Sequence, residues 1–166
     1  MHRIFCATPG DVEEERMAFY KVMGKFNEAE AMPRGILLIA LALPGATADK
    51  RPYQAAMAEN VRSCRYYIQL LEETWGPPER NFERDYALAL RSLEDPAMPM
   101  QDVAVMFKKP LVPHQMDPRI EELKQKLQNE GSRPLLEFDT IPEFERQLYG
   151  LLNTWLASLV PEAAMA

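Results

Sequence analysis

The sequence is short of the residues on which most metal and thiol chemistry depends. Its 166 residues include two cysteines, Cys6 and Cys64, and two histidines, His2 and His114. The cysteines are too far apart for a C-x-x-C motif, so we expect two buried free thiols. The histidines have no matching cysteine, serine or acid beside them. We therefore expect neither a metal site nor a histidine-based catalytic dyad.

Long apolar runs and an excess of positive charge are also absent. No run approaches the roughly 18 to 20 residues that cross a bilayer, and the first residues lead into a strand pattern rather than a signal peptide. The formal net charge is −6, whereas proteins that bind nucleic acid cluster Lys and Arg. We expect a cytoplasmic protein that binds neither membranes nor nucleic acid.

Glycine-rich phosphate motifs are missing as well, since neither G-x-G-x-x-G nor G-K-[ST] occurs. The stretch CATPGDVEEER instead predicts a helix start, with Thr8 as N-cap, Pro9 at the first helical position and Asp11 at the third. Asp11 and the three glutamates at 13–15 put negative charge where a pyrophosphate would rest. The pattern favours a helix cap over a phosphate cradle.

What the sequence does contain is a regular alternation of strand and helix patterns. Apolar runs predict strands at 3–7, 36–41, 66–71, 103–107 and 135–138. Amphipathic periodicity predicts helices at 12–27, at 53–61, from Asn81, at 118–129 and after Thr140. This alternation predicts an α/β fold of the flavodoxin-like, three-layer α/β/α kind, with a five-stranded parallel sheet in the order 2-1-3-4-5. We expect a single domain at 1–160 and a flexible tail at 161–166.

In such sheets ligands bind beyond the carboxyl ends of the strands, here at the loops after strands one and three. Trp75 lies in a Gly/Pro-rich turn and either packs as a lid on the core edge or stacks on a flat ligand ring. Glu83 and Asp85 flank the apolar stripe of the next helix. They are either first-turn acids favoured by the helix dipole or carboxylates aimed into the crevice. Arg51 is either solvated or meets an anion.

The order of several segments resembles a known family. A strand is followed by TPGDVEEER, then LPGATADKRPYQAAMAENVRSCRYYIQLL, a Trp-Gly loop with NFERDYALAL, VAVMFKKP and FDTIPEFERQLYGLLNTWL. Across residues 3–156 this order resembles the bacterial TIR-like domains of unknown function, which often stand at the N-terminus of signal-transducing NTPases. Related Toll/interleukin-receptor domains share the flavodoxin-like fold. They act as self-associating adaptors or as enzymes that cleave NAD at the nicotinamide bond.

The resemblance also implies roles for particular residues. In the enzymatic relatives a catalytic glutamate lies four residues before an alanine, and aligning on Ala89 puts Asp85 there. Aspartate is one methylene shorter, and a misplacement of that size can cost about 100-fold in rate. Glu83 could take the place of the catalytic glutamate only if the helix had a different register from the one that this alignment gives. Thr8 would hold a ribose hydroxyl and Trp75 would stack a ring, although Cys6 and Ala7 replace the hydroxyl side chains usual ahead of Thr8.

The first expectation for function is therefore a TIR-like signalling or interaction module that associates with itself or with a partner protein, in bacterial defence or stress signalling. The second is a glycohydrolase of NAD or a related nucleotide. The third is a non-catalytic sensor with a nucleotide ligand in the same crevice. We expect no cofactor, and NAD would enter only as a substrate.

Overall fold

The computed structural model describes residues 1–9, 12–42, 50–76, 82–110, 116–131 and 133–161, with the backbone alone at 50–56. The strands are β1 His2–Ala7, β2 Leu38–Leu41, β3 Tyr66–Leu71, β4 Asp102–Lys108 and β5 Leu135–Phe138. The helices are α1 Glu13–Phe26, α2 Lys50–Ser63, α3 Phe82–Glu94, α4 Pro118–Glu130 and α5 Ile141–Leu159. The tail predicted at 161–166 lies outside the described residues apart from Pro161.

The five strands form one parallel sheet in the order β2-β1-β3-β4-β5. The predicted strand order is confirmed. β3 lies in the middle of the sheet, where Tyr66 is opposite Ile4 of β1 on one side and Asp102 of β4 on the other. All six residues of β3 are buried, as the continuous apolar run predicts for a parallel strand that is covered on both faces.

Two hydrophobic cores cover the two faces of the sheet. The first joins the sheet to α1 and α5, and in it Trp155 stacks on Tyr66 with 4.4 Å between ring centroids. The Trp155 indole also donates a hydrogen bond to Asp102 Oδ2 at 2.8 Å. The second core joins the sheet to α2, α3 and α4, and Phe5 stacks on Tyr67 within it. Successive side chains of a strand point to opposite faces, so Tyr66 and Tyr67 serve different cores.

β2 is shorter and less buried than its apolar sequence predicts. It begins at Leu38 rather than Ile36, and only Leu38 of its four residues is fully buried. The reason is its position at the edge of the sheet. The chain reaches it through a π-helical turn, Asn27–Ala31, and a 3-10 turn, Met32–Arg34, which ends at Gly35 with φ of 73°. The Asn27 side chain then binds both the N–H and the C=O of Leu38.

The start of α1 differs from the prediction, which made Thr8 its N-cap and Pro9 its first residue. The helix begins at Glu13, and Val12 is the N-cap without a side-chain capping bond. The Val12 N–H instead donates to the Pro9 carbonyl at 3.0 Å, which closes a turn ahead of the helix. The prediction of a Thr8 cap is therefore wrong. Asn81, the predicted N-cap of α3, lies outside the described residues.

Other expectations about side chains are met. Cys6 and Cys64 are buried free thiols, and burial raises the pKa of Cys64 to about 12. The structure also shows a cap that was not predicted, since the Asp117 side chain accepts the Arg119 N–H at the start of α4, which ends at Gly131 in the left-handed region. None of the helices in the described ranges has both the length and the apolar character needed to cross a membrane.

The cap of α5 provides a test of this architecture. Thr140 Oγ1 accepts the Glu143 N–H at 3.3 Å, and Glu143 Oε2 accepts the Asp139 N–H at 2.8 Å. Replacing such a cap with alanine costs about 1 kcal/mol, so Thr140→Ala should lower Tm by about 2 to 4 °C in thermal unfolding. Thr154→Ala is the matched control, because Thr154 is exposed within the same helix and alanine favours helix. Equal Tm losses in the two variants would contradict the capping role.

Candidate functional site

The candidate site lies where β1 and β3 end side by side. β1 leads into α1 on one face of the sheet and β3 leads into α3 on the other. The first turns of both helices therefore lie at the carboxyl edge of the sheet, where this strand order reverses direction. We call this region the carboxyl-edge site and define it by Thr8, Glu15, Glu72 and Asp85.

A buried polar pair on β3 lies beneath α3. Gln69 is completely buried, and its Oε1 accepts a hydrogen bond from Tyr67 Oη at 2.7 Å. Gln69 Nε2 donates to the Leu70 carbonyl at 3.1 Å and to the Ala7 carbonyl at 3.5 Å. A buried amide is costly unless its polar atoms are paired. These bonds therefore fix polar groups between the ends of β1 and β3.

Asp85, in the first turn of α3, is half-buried at this edge. Burial raises the pKa of its carboxyl group to about 6, against the smaller opposing effect of the Arg84 charge. The Asp85 charge in turn contributes, after burial, to raising the pKa of Tyr67. Within the described part of the chain, no hydrogen bond to the Asp85 carboxylate is formed. Asp85 is thus an accessible acceptor in an environment that disfavours its charge.

A group of buried charges lies on the α1 side of the same edge. Lys108, at the end of β4, binds Glu15 Oε1 at 2.8 Å and lies 4.0 Å from Glu72 Oε2. Burial opposes the Lys108 charge, but the Glu15 hydrogen bond and the nearby carboxylates raise its pKa overall. Glu15 is 1% exposed, and its Oε2 has no hydrogen-bond partner among the described residues. One lysine therefore holds two buried carboxylates together.

Two other predicted site residues, Trp75 and Glu83, have side chains that are engaged in other contacts. Trp75 is 4% exposed and packs against Tyr86 with 5.7 Å between ring centroids. The indole therefore packs in the core, as the first of its two alternatives predicts, and presents no face to a ligand. Glu83 is on the outer surface, where it pairs with Arg119 of α4 at 2.8 Å. The side chain of Arg51 lies outside the described part of the structure.

Thr8 and Asp85 are thus the two predicted residues that lie at one edge. Thr8 directly follows β1 and is half-buried. Because it does not cap α1, its hydroxyl is not committed to the helix.

Sequence reasoning missed the buried polar residues of the site, although signals for them existed. Gln69 is the single polar residue inside the apolar run YYIQLL. Glu15 lies three residues after Val12 and four before Phe19, so it falls on the apolar stripe of α1. A polar residue at a position that must be buried is more informative than an exposed one. The partner of Glu15, Lys108, could not be found this way, since β4 is distant in sequence.

Helices on both faces of a parallel sheet in this order define a flavodoxin-like, three-layer α/β/α fold. No family model matches the sequence, and no curated protein matches it. Among solved structures, general stress protein 14 from Treponema denticola, in complex with FMN, is similar to this chain with a TM-score of 0.50. The match covers 95% of this chain and 98% of that chain at 12% identity, and it supports the fold alone.

The comparison corrects one prediction. The expectation that there is no cofactor is contradicted by the similar protein, which was solved with FMN bound. As to metals, the described residues contain no group of three or more His, Cys, Asp or Glu side chains arranged to hold an ion.

The environment of Asp85 predicts a pH-dependent stability. Its pKa of about 6 in the folded protein lies above the usual 3.8, so its contribution to stability falls as pH rises from about 4 through 6. Asp85→Asn, which is never charged, should raise Tm by about 2 to 4 °C at pH 8, the effect of about 1 kcal/mol in a chain of this size. Near pH 4 the difference should vanish.

Glu83→Gln is the matched control, since it removes one acid from the same helical turn. Its exposed pair with Arg119 has little net effect on stability, so its Tm should be unchanged or slightly lower at both pH values. An Asp85→Asn variant that is less stable than the wild type at pH 8 would contradict the account of Asp85.

Proposed function

We propose that this chain is a TIR-like signalling domain whose carboxyl-edge site binds a nucleotide or nucleoside. The order of sequence segments supports the TIR-like family, and the fold is the one that this family implies. The observation that carries the ligand proposal is the half-buried Asp85 carboxylate, which accepts no hydrogen bond within the described residues and has a raised pKa.

A sugar with neighbouring hydroxyl groups is the ligand part that suits Asp85. A carboxylate in a desolvated position gains most from donors that arrive with a ligand, and two adjacent O–H groups can each donate to one of its oxygens. An acid that binds ribose hydroxyls is the usual arrangement in doubly wound nucleotide-binding sheets. The hydroxyl of Thr8, which does not cap α1, adds a second polar group at the same edge. Strongly perturbed carboxyl groups also concentrate at functional sites.

FMN, the ligand of general stress protein 14, has a ring, a hydroxyl-bearing chain and a phosphate. The hydroxyl-bearing chain suits Asp85 and Thr8. The phosphate does not suit the first turn of α1, which carries Glu13, Glu14 and Glu15, because acids there oppose an anion. The residues of this chain thus fit only part of FMN, and we derive no flavin chemistry from them.

A thermal-shift experiment tests ligand binding. Adenosine, NAD, riboflavin and FMN would each be added to the full chain, and at least one should raise Tm, since a ligand at 100 times its Kd stabilises by about 2.7 kcal/mol. The shift should disappear in Asp85→Asn, measured against that variant's own Tm, and persist in Glu83→Gln. If none of the four ligands shifts Tm, the ligand proposal is wrong.

The signalling role is tested by self-association or by a captured partner. Sedimentation of the chain over a wide concentration range, with and without the ligand that raises Tm, should reveal oligomers whose population depends on that ligand. A protein that stays monomeric in both conditions, and that turns over NAD, would contradict the signalling role and leave the enzyme role.

A second candidate function is cleavage of NAD or a related nucleotide. It is favoured by the perturbed Asp85 carboxyl, at the position that the resemblance assigns to the catalytic residue. Asp85 would stabilise the positive charge that develops on the sugar as the bond to nicotinamide breaks. Two findings weigh against it, because Trp75 is buried rather than free to stack a ring and aspartate is shorter than glutamate.

Nicotinamide release from concentrated protein measures this activity. The wild type should release little or none, whereas Asp85→Glu, which restores the missing methylene, should release about 100-fold more if reach is what limits the wild type. Asp85→Asn is the inactive reference, and Glu83→Gln should match the wild type. Release that persists unchanged in Asp85→Asn would remove Asp85 from the mechanism.

A further inference from the structure

We infer that the carboxyl-edge site selects ligands without a phosphate, such as a nucleoside rather than its 5′-phosphate. The inference rests on the proposed ligand binding and specifies the ligand class. It follows from the charges around the first turn of α1, the position at which this fold otherwise places a phosphate.

The first turn of α1 is already supplied with negative charge. Glu13, Glu14 and Glu15 follow one another there, and the N-cap Val12 has no polar side chain to offer a ligand. Carboxylates at a helix N-terminus use the same positive end of the dipole that a phosphate would use. A phosphate arriving there would meet like charge instead of an open anion site.

The cations beside this turn are held by these acids. Arg16 forms a two-contact ion pair with Glu13. Lys108 binds Glu15 at 2.8 Å, lies 4.0 Å from Glu72 and also feels the charge of Glu14. Neither cation can turn to a phosphate without leaving a carboxylate behind, and for Glu15 that carboxylate is buried.

Glu15 adds to the repulsion between the first turn of α1 and a phosphate. Lys108 binds the Oε1 of Glu15, while its Oε2 is buried and meets no hydrogen-bond donor in the described part of the chain. A buried charged oxygen that lacks a donor is costly already, and a nearby dianion would add repulsion that water does not screen well. A neutral or cationic ligand avoids this repulsion and still offers sugar hydroxyls to Asp85.

The experiment compares ligand pairs that differ only by a phosphate. The pairs are adenosine with AMP, riboflavin with FMN, and nicotinamide riboside with nicotinamide mononucleotide. In calorimetric titrations of the full chain at low salt, the unphosphorylated member of a binding pair should bind at least about 10-fold more tightly. The difference should shrink as salt is added, because salt screens exposed charge.

A charge variant tests whether the acids in the first turn of α1 weaken the binding of phosphorylated ligands. Glu13→Gln combined with Glu14→Gln removes two exposed acids and releases Arg16, so the phosphorylated member should gain about 10-fold in affinity while its partner stays unchanged. Glu94→Gln combined with Glu130→Gln is the matched control. It removes two exposed acids at the C-terminal ends of α3 and α4. The ratio of the affinities for the two members of a ligand pair should then be the same as in the wild type.

The outcomes separate the two proposals. Equal or tighter binding of the phosphorylated member overturns this inference alone. The same holds if the Glu13/Glu14 double variant leaves the ratio of the two affinities unchanged. If no member of any pair binds, the proposed ligand site fails and this inference fails with it.

Discussion

The burial of β3 on both faces is the constraint on which the rest of the structure depends. Its six residues have no exposed side, so alternate side chains must fill two different cores and any polar atom must find a partner inside the protein. Tyr66 meets Trp155 on one face. Tyr67 and Gln69 pair with each other on the opposite face. β3 thus packs against the helices on both faces of the sheet, and it also places a fixed polar pair beneath α3.

The polarity of the carboxyl edge follows from how β3 ends and which helices begin beside it. Glu72 comes directly after the last residue of β3, and α1 and α3 begin on opposite faces with acids in their first turns. Helix dipoles favour these acids individually, but together they concentrate negative charge at one edge. Lys108 relieves part of this charge by binding Glu15 near Glu72. Asp85, on the α3 side, forms no ion pair within the described residues, and burial raises its pKa to about 6 against the smaller effect of the Arg84 charge.

The fold could be predicted from sequence because its signals are local and repeated. The bounds of β3 and β5 match the apolar runs residue for residue, and Thr140 caps α5 as its position predicts. The site was less predictable, because its contacts join distant segments. A Gly/Pro-rich turn favours exposure for Trp75, yet the indole is buried by packing against Tyr86. At the start of α1 the N-cap is Val12 rather than the predicted Thr8, and the Val12 N–H bonds to the Pro9 carbonyl.

The shortness of Asp85 bears differently on binding and on catalysis. A binding site tolerates a side chain that is one methylene short, since a sugar hydroxyl or a bridging water can span the gap at little cost. A bond-breaking step is less tolerant, because the charge that develops must lie at a defined distance from the carboxylate. The acids in the first turn of α1 add a second restriction, since they disfavour the phosphates that link the two halves of NAD. A site with both features is better suited to holding a small sugar-bearing ligand than to cleaving a dinucleotide.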